Sequence, residues 1–187
     1  MSLLPSHVAT VSLASAAETP LLGAPVAQAA ASGSVASPET VEVFEIDPNL
    51  ADTAALMEAF DLPAEASANC VVVAGTRGEE ERIAACVVLA STKADVNKRI
   101  RKLLDARKAS FLPMDRAVAE SGMEYGGIGP IGLPESWRLL VDSRVVEQEA
   151  VVIGSGVRGS KIMLPGAVLA QLPGAEVVED LAVEVTG

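Results

Sequence analysis

A single α/β domain, with a mixed β-sheet flanked by helices, is the fold this sequence predicts, and three observations carry that expectation. Short β-branched runs alternate with stretches whose apolar residues recur at helical spacing. There is no internal repeat of the kind that builds solenoids or propellers. The 187 residues are 50% hydrophobic but only 3% aromatic, enough for one substantial core built from Val, Leu, Ile and Ala.

The elements follow in order. Residues 1–38 form a low-charge, Ala/Ser-rich N-terminal segment whose single charged residue is Glu18. It reads as partly helical around Ala16–Ala31, broken or kinked by Pro20 and Pro25. Residues 39–187 read as the domain proper. Thr40–Ile46 alternates apolar and charged residues, the pattern of a half-buried strand. Asp52 is an N-cap candidate for a helix that turns Leu56, Met57 and Phe60 inward. Cys70–Val73 and Ile83–Leu89, joined by the polar stretch Thr76–Glu81, read as a long hairpin. Asp95 starts a helix whose Val96, Ile100, Leu103 and Leu104 make one buried stripe, leaving Lys98, Arg99, Arg101 and Lys102 on the other faces. Lys108–Leu112 reads as a strand and Met114–Ser121 as a helix. Strands at Arg138–Val141 and Ala150–Ile153 flank a helical turn near Ser143–Glu147. Lys161–Leu164 is a strand ended by Pro165, Gly166–Leu172 a closing helix, and Glu176–Val178 an edge strand.

Composition excludes several functions. The net charge of −11 argues against broad nonspecific nucleic-acid binding, and neither DNA nor a membrane is an expected partner. The charge is unevenly placed, however: Glu39 to Glu65 holds acids and no bases, while eight of the fourteen bases fall between Lys93 and Arg116. The Lys98–Lys102 cluster is either a solvated helix face or a surface that holds phosphate. Cys70 and Cys86 lie in Val-rich runs without metal-ligand spacing and read as buried free thiols of a reducing cytoplasm. His7 is the single histidine, so a histidine-based metal site or triad is not expected, and no metal or cofactor is. The first residues lack the positive start of a secretory signal, and Met1-Ser2-Leu3 reads as a cloning remnant.

Two glycine loops carry the functional signal. Gly126-Gly127-Ile128-Gly129-Pro130-Ile131-Gly132 packs four glycines and a proline into seven positions, and Gly154-Ser155-Gly156-Val157-Arg158-Gly159 follows downstream. Such backbones bring main-chain N–H and C=O groups close to a small ligand; a tight turn between strands is the plainer reading. The second loop matches Gly-x-Gly-x-x-Gly, but a dinucleotide fingerprint opens a helix, whereas Ser160–Leu164 reads as extended. Asp142, after an apolar strand, is open to two readings: a helix cap or a site carboxylate.

Taken together, Gly-Gly-Ile-Gly-Pro-Ile-Gly, an apolar run ending in Asp142, and Ser155-Gly156-Val157-Arg158-Gly159 before a strand resemble the YbaK/ProX-type aminoacyl-tRNA editing domain, the prolyl-tRNA synthetase insertion-like deacylases. The resemblance covers roughly Thr40 to Leu172. It implies a mixed, strongly curved sheet flanked by helices and hydrolysis of the ester of a mischarged tRNA, often tRNA(Pro) carrying alanine or cysteine. It places Gly126, Gly127, Gly129 and Pro130 around the 3′-terminal adenosine, the ester and the attacking water. Asp142, Ser155, Gly156, Arg158 and Gly159 would line the opposing, substrate-binding wall, with Arg158 either near phosphate or fixing the loop. One departure stands out: where family members commonly carry a lysine at a strand start, this chain has Asn69, in Ser67-Ala68-Asn69-Cys70-Val71-Val72. Asn donates hydrogen bonds but carries no charge.

The expectation is therefore a cytoplasmic, trans-acting aminoacyl-tRNA deacylase that takes a mischarged CCA end, with Lys98, Arg99, Arg101 and Lys102 as the phosphate contact. The second expectation is a family member that binds tRNA or an aminoacyl-adenosine without turnover, in which Asn69→Lys restores hydrolysis.

Overall fold

Two main sheets share one apolar layer and each carries another on its outer face; with a small two-stranded antiparallel sheet they organise residues 3–185, the part of the chain that the computed structural model describes. Met1 and Ser2 of the presumed cloning remnant lie outside the described residues. β1 (Thr10–Ser12) runs directly into α1 (Leu13–Ala16), and α2 (Ala24–Ala31) follows. β2 (Glu42–Glu45) precedes α3 (Thr53–Phe60) and the hairpin of β3 (Ala68–Arg77) and β4 (Glu80–Leu89). Next come β5 (Thr92–Ala94), a wide π-type turn over Val96–Ile100, α4 (Arg101–Leu103), β6 (Lys108–Phe111) and α5 (Met114–Ser121). β7 (Arg138–Asp142), α6 (Ser143–Val146), β8 (Val151–Gly154) and β9 (Ser160–Leu164) lead to α7 (Gly166–Leu169), β10 (Ala175–Val178) and β11 (Ala182–Glu184).

The larger sheet has the order β10-β7-β4-β3-β6 and is mixed: β10, β7 and β4 are parallel, while β3 runs antiparallel to both β4 and β6. The smaller sheet, β1-β2-β9-β8, is antiparallel throughout. A parallel bridge between Ser67 and Val152 ties one sheet to the other. Strand alternation sorts the side chains into layers. Val72, Ala74, Ala85 and Val87 join Val43 and Ile162 in the shared layer, which α2 also feeds through Val26, Ala29 and Ala30. Val73, Cys86 and Val88 turn the other way, beneath Ile100 and Leu104. Phe44, Val152 and Met163 turn out of the smaller sheet toward Leu56 and Leu62.

Several elements differ from the sequence expectation. The helix expected over Ala16–Ala31 is two short helices, and Pro25 sits in the first turn of α2, where its missing N–H costs no hydrogen bond. β2 is covered on both faces because α3 closes the side expected to meet solvent. The helix expected from Asp95 begins as the wide turn, in which the Ile100 N–H reaches the Asp95 carbonyl, and ends by Leu103. Asp52 does cap α3, its carboxylate accepting from the Ala54 N–H at 3.0 Å.

Candidate active site

The sheets are joined at Ser67–Val152 and diverge from there. β6 pairs with β3 only from Val73 to Thr76, so the Ala68–Val71 edge has no strand beside it on that side. A cavity of about 390 Å³ opens in this gap. Its polar wall is formed by Asp52 and Thr53 at the start of α3, Asn69 on β3, Gly126, Gly154 and Lys161; its apolar wall includes Val72, Leu112, Ala117 and Ile128. Phe111, Met114 and Tyr125 stand at the rim, each about half exposed.

Thr53 Oγ1 donates to Asn69 Oδ1 at 2.6 Å, which fixes the amide and leaves its NH₂ end as the donor on offer. Lys161 is only 6% exposed. β9 pairs with β2 so that Lys161 lies opposite Phe44, on the face covered by α3 and away from bulk water. Its Nζ donates to the Ala51 carbonyl at 2.9 Å and to the Gly126 carbonyl at 3.4 Å. Burial pushes this ammonium down to about 8; Asp52 pulls in the opposite direction and Arg158 adds a smaller lowering. The Cys70 thiol, also on the cavity wall, is pushed up to about 12 by burial and stays neutral.

The two glycine loops pack on each other. The Gly156 N–H donates to the Gly127 carbonyl at 2.7 Å, and the Glu124 N–H to the Gly156 carbonyl at 2.9 Å. A Cβ on Gly127 would stand 2.6 Å from the Val157 carbonyl, and one on Gly129 would run into the Gly154 carbonyl. These glycines exist so that two backbones can touch. Gly126 (φ 79°) and Gly154 face the cavity; Gly127 and Gly129 face the other loop, and Pro130 faces a separate groove with Trp137 and Leu172.

The remaining expected residues fall into four groups. Arg158 is a loop clamp: its guanidinium donates to the carbonyls of Tyr125 (3.0 Å) and Pro48 (2.9 Å), lies 5.7 Å from the Tyr125 ring centre, and its backbone N–H meets the Glu124 carboxylate at 2.7 Å. Ser155 is buried against Ser160 Oγ at 2.7 Å, Gly156 packs on Gly23, and the Gly159 carbonyl accepts from Ile46, so none of the three lines the cavity. Asp142 does not line the cavity, and of its two readings the helix cap is the one the structure shows. Its buried carboxylate caps α6 through the Arg144 N–H (3.0 Å), pairs with the Arg144 guanidinium (2.8 Å) and accepts from the Ala182 N–H (3.0 Å). Burial alone would raise its pKa, but these partners hold it below the usual carboxylate range.

Lys98, Arg99, Arg101 and Lys102 are likewise not brought to the cavity. Their segment packs on the opposite face of the larger sheet, and Lys98, Arg99 and Lys102 share a groove with Asp95, Asp180 and Glu184. Sequence reasoning missed Thr53 and Lys161. For Lys161 the signal was present: a lysine inside Ser160–Leu164, where both the Ile162 and the Met163 faces are apolar, has no solvent side to point to.

The arrangement of these loops and sheets matches a known class. Residues 47–172 match the aminoacyl-tRNA editing domain, and the chain belongs to that family, of the YbaK type. The fold is also similar to solved structures at low identity. One, proposed to be a trans-editing enzyme for prolyl tRNA synthetase, gives a TM-score of 0.70 at 16% identity, covering 86% of this chain and 96% of that one. The hypothetical protein APE2540 gives 0.67 at 16% identity, covering 75% and 90%. A Marinobacter aquaeolei VT8 protein described for signal transduction gives 0.56 at 19% identity, covering 87% of this chain but 31% of that longer one.

Proposed function

We propose that the protein is an aminoacyl-tRNA deacylase acting in trans, hydrolysing the ester between a mismatched amino acid and the 3′-terminal adenosine of a tRNA. The observation that supports this reading is the cavity between the sheets, with donors and carbonyls on one wall and aliphatic groups on the other. Its volume lies within the range of about 300–1,000 Å³ typical of small-ligand sites. An ester is already an activated bond, so orientation of water and hydrogen bonding to the developing oxyanion supply most of the required catalysis. The Gly126 and Gly154 backbones and the Asn69 amide provide the polar side of such a site. The apolar wall suits a small or medium uncharged side chain, and tRNA(Pro) is the first tRNA to test, after the similar protein named for prolyl tRNA synthetase. Phosphate contact by Lys98–Lys102 is not part of this proposal, because that segment is not brought to the cavity.

The test is release of amino acid from a panel of purified mischarged tRNAs, with a substrate-dependent rate expected above spontaneous hydrolysis. A flat panel removes catalysis. Asn69 at the family's lysine position favours a second reading, binding without turnover, which predicts affinity for a non-hydrolysable aminoacyl-adenosine together with that flat panel.

A further inference from the structure

Lys161 and Asp142 are the two buried charged residues among those described. Asp142 has Arg144 beside it. Among the described residues Lys161 has no carboxylate within ion-pair distance, and its hydrogen-bond partners are the two backbone carbonyls. A buried ammonium without a carboxylate in contact with it is expensive to keep. This one lies on the polar wall of the cavity, which Asn69 of β3 also lines.

We infer that Lys161 is a catalytic residue of the proposed hydrolysis, its ammonium reaching the cavity from β9 in place of a charge at Asn69 and donating to the carbonyl oxygen of the bound ester. The inference rests on the deacylase reading and names the source of the site's positive charge. Two of the three ammonium protons are engaged by Ala51 and Gly126, which aim the group, and the third is available to a ligand. In the step itself, water adds to the ester carbonyl carbon and negative charge gathers on the carbonyl oxygen beside Lys161. The bond to the ribose oxygen then breaks, and a proton from the water ends on that oxygen, giving a free amino acid and an uncharged tRNA. Lys161 stays protonated throughout.

The groups around it fit a cationic role. Asp52, at the start of α3, favours the ammonium; Arg158, from the second loop, opposes it; Cys70 remains a neutral thiol; and Tyr125 stands at the rim. At neutral pH most of the protein carries the charge, and it is lost as pH rises through about 8.

The test uses the full chain and the best substrate of the tRNA panel in single-turnover assays. Lys161→Met is expected to lower the catalysed rate by about 10²–10³, the usual cost of one oxyanion donor, with little change in the tRNA concentration needed for half-saturation. The fall in wild-type catalysed rate above about pH 8, after subtraction of spontaneous hydrolysis, should vanish in the variant. Asn69→Lys combined with Lys161→Met should recover most of the rate, because the charge returns to the same polar wall from β3. Unchanged turnover in Lys161→Met overturns this role alone; a flat wild-type panel overturns the deacylase reading and this role with it. A measurement free of variant folding is NMR titration of the wild-type Lys161 side chain with a non-hydrolysable alanyl-adenosine amide. An upward move of its pKa on binding supports the contact, and no move refutes it.

Discussion

The Thr53 hydroxyl donates to Asn69 Oδ1 across 2.6 Å, joining the first turn of α3 to the unpaired edge of β3. The Asn69 side chain is therefore held in one orientation, with its amide NH₂ as the end available to a ligand. Asn69→Ala removes one neutral hydrogen bond to substrate, and the expected outcome is a turnover loss of about 3- to 10-fold, corresponding to about 0.5–1.5 kcal/mol. Single-turnover rates beside Lys161→Met check this; a loss as large as that of the lysine variant would reverse the assignment of roles.

Asn69→Lys in the otherwise unchanged chain is expected to impair the protein, contrary to the restored hydrolysis expected from the sequence. It sets two ammonium groups in a cavity of about 390 Å³. Like charges within ~10 Å cost on the order of 1–2 kcal/mol at an effective dielectric near 20. Urea unfolding should show the stability loss, and the mischarged-tRNA assay should show no gain.

Stability should rise with pH just above neutrality. Lys161 falls from 10.5 when unfolded to about 8 when folded, so between these values the unfolded chain binds more protons and the folded state gains. The penalty is fully present below about pH 8 and amounts to about 3 kcal/mol at roughly 1.4 kcal/mol per pH unit. Cys70 and Cys86 act in the opposite sense above their ordinary 9.0, because burial keeps their thiols protonated in the fold while the unfolded chain ionises. Comparing wild type with Lys161→Met between about pH 7 and pH 9 isolates the lysine slope, because the thiols contribute equally to both. Lys161→Met should abolish that slope and raise stability at neutral pH, while the catalysed rate falls.

Gly127→Ala should separate the two loops. The new methyl meets the Val157 backbone, and relief requires a shift of a hydrogen-bonded loop. Such overpacking typically costs about 1–3 kcal/mol, or about 2–4 °C in Tm per kcal/mol for a chain of this size. Differential scanning calorimetry measures it, and an unchanged Tm would mean that the loop contact is loose.

Much of the scaffold is legible in the sequence because its signals are local. Cys70–Val73 and Ile83–Leu89 are long β-branched runs, and Asp52 is a cap at the head of an apolar stripe. The three-residue strands β1, β5 and β11 are not legible, since Thr-Val-Ser, Thr-Lys-Ala and Ala-Val-Glu are too short to show a period. The site divides in the same way. Gly126 and Asn69 are found by motif and by its breach, but Lys161 becomes visible only through the register that sets it opposite Phe44, a pairing of residues far apart in the chain. The loop glycines are legible as unusual backbone; that they serve loop-to-loop contact rather than ligand contact depends on tertiary approach.

The family match begins at residue 47, yet the second loop is braced from behind by earlier residues: the Gly23 N–H donates to the Ser155 carbonyl, and the Ser160 hydroxyl donates to the Leu21 carbonyl. A shortened polypeptide cut to the matched span would strip this splint and bare the aliphatic flank on which α2 rests. Anyone preparing a minimal version for spectroscopy or ligand screening should therefore keep the leading forty-odd residues.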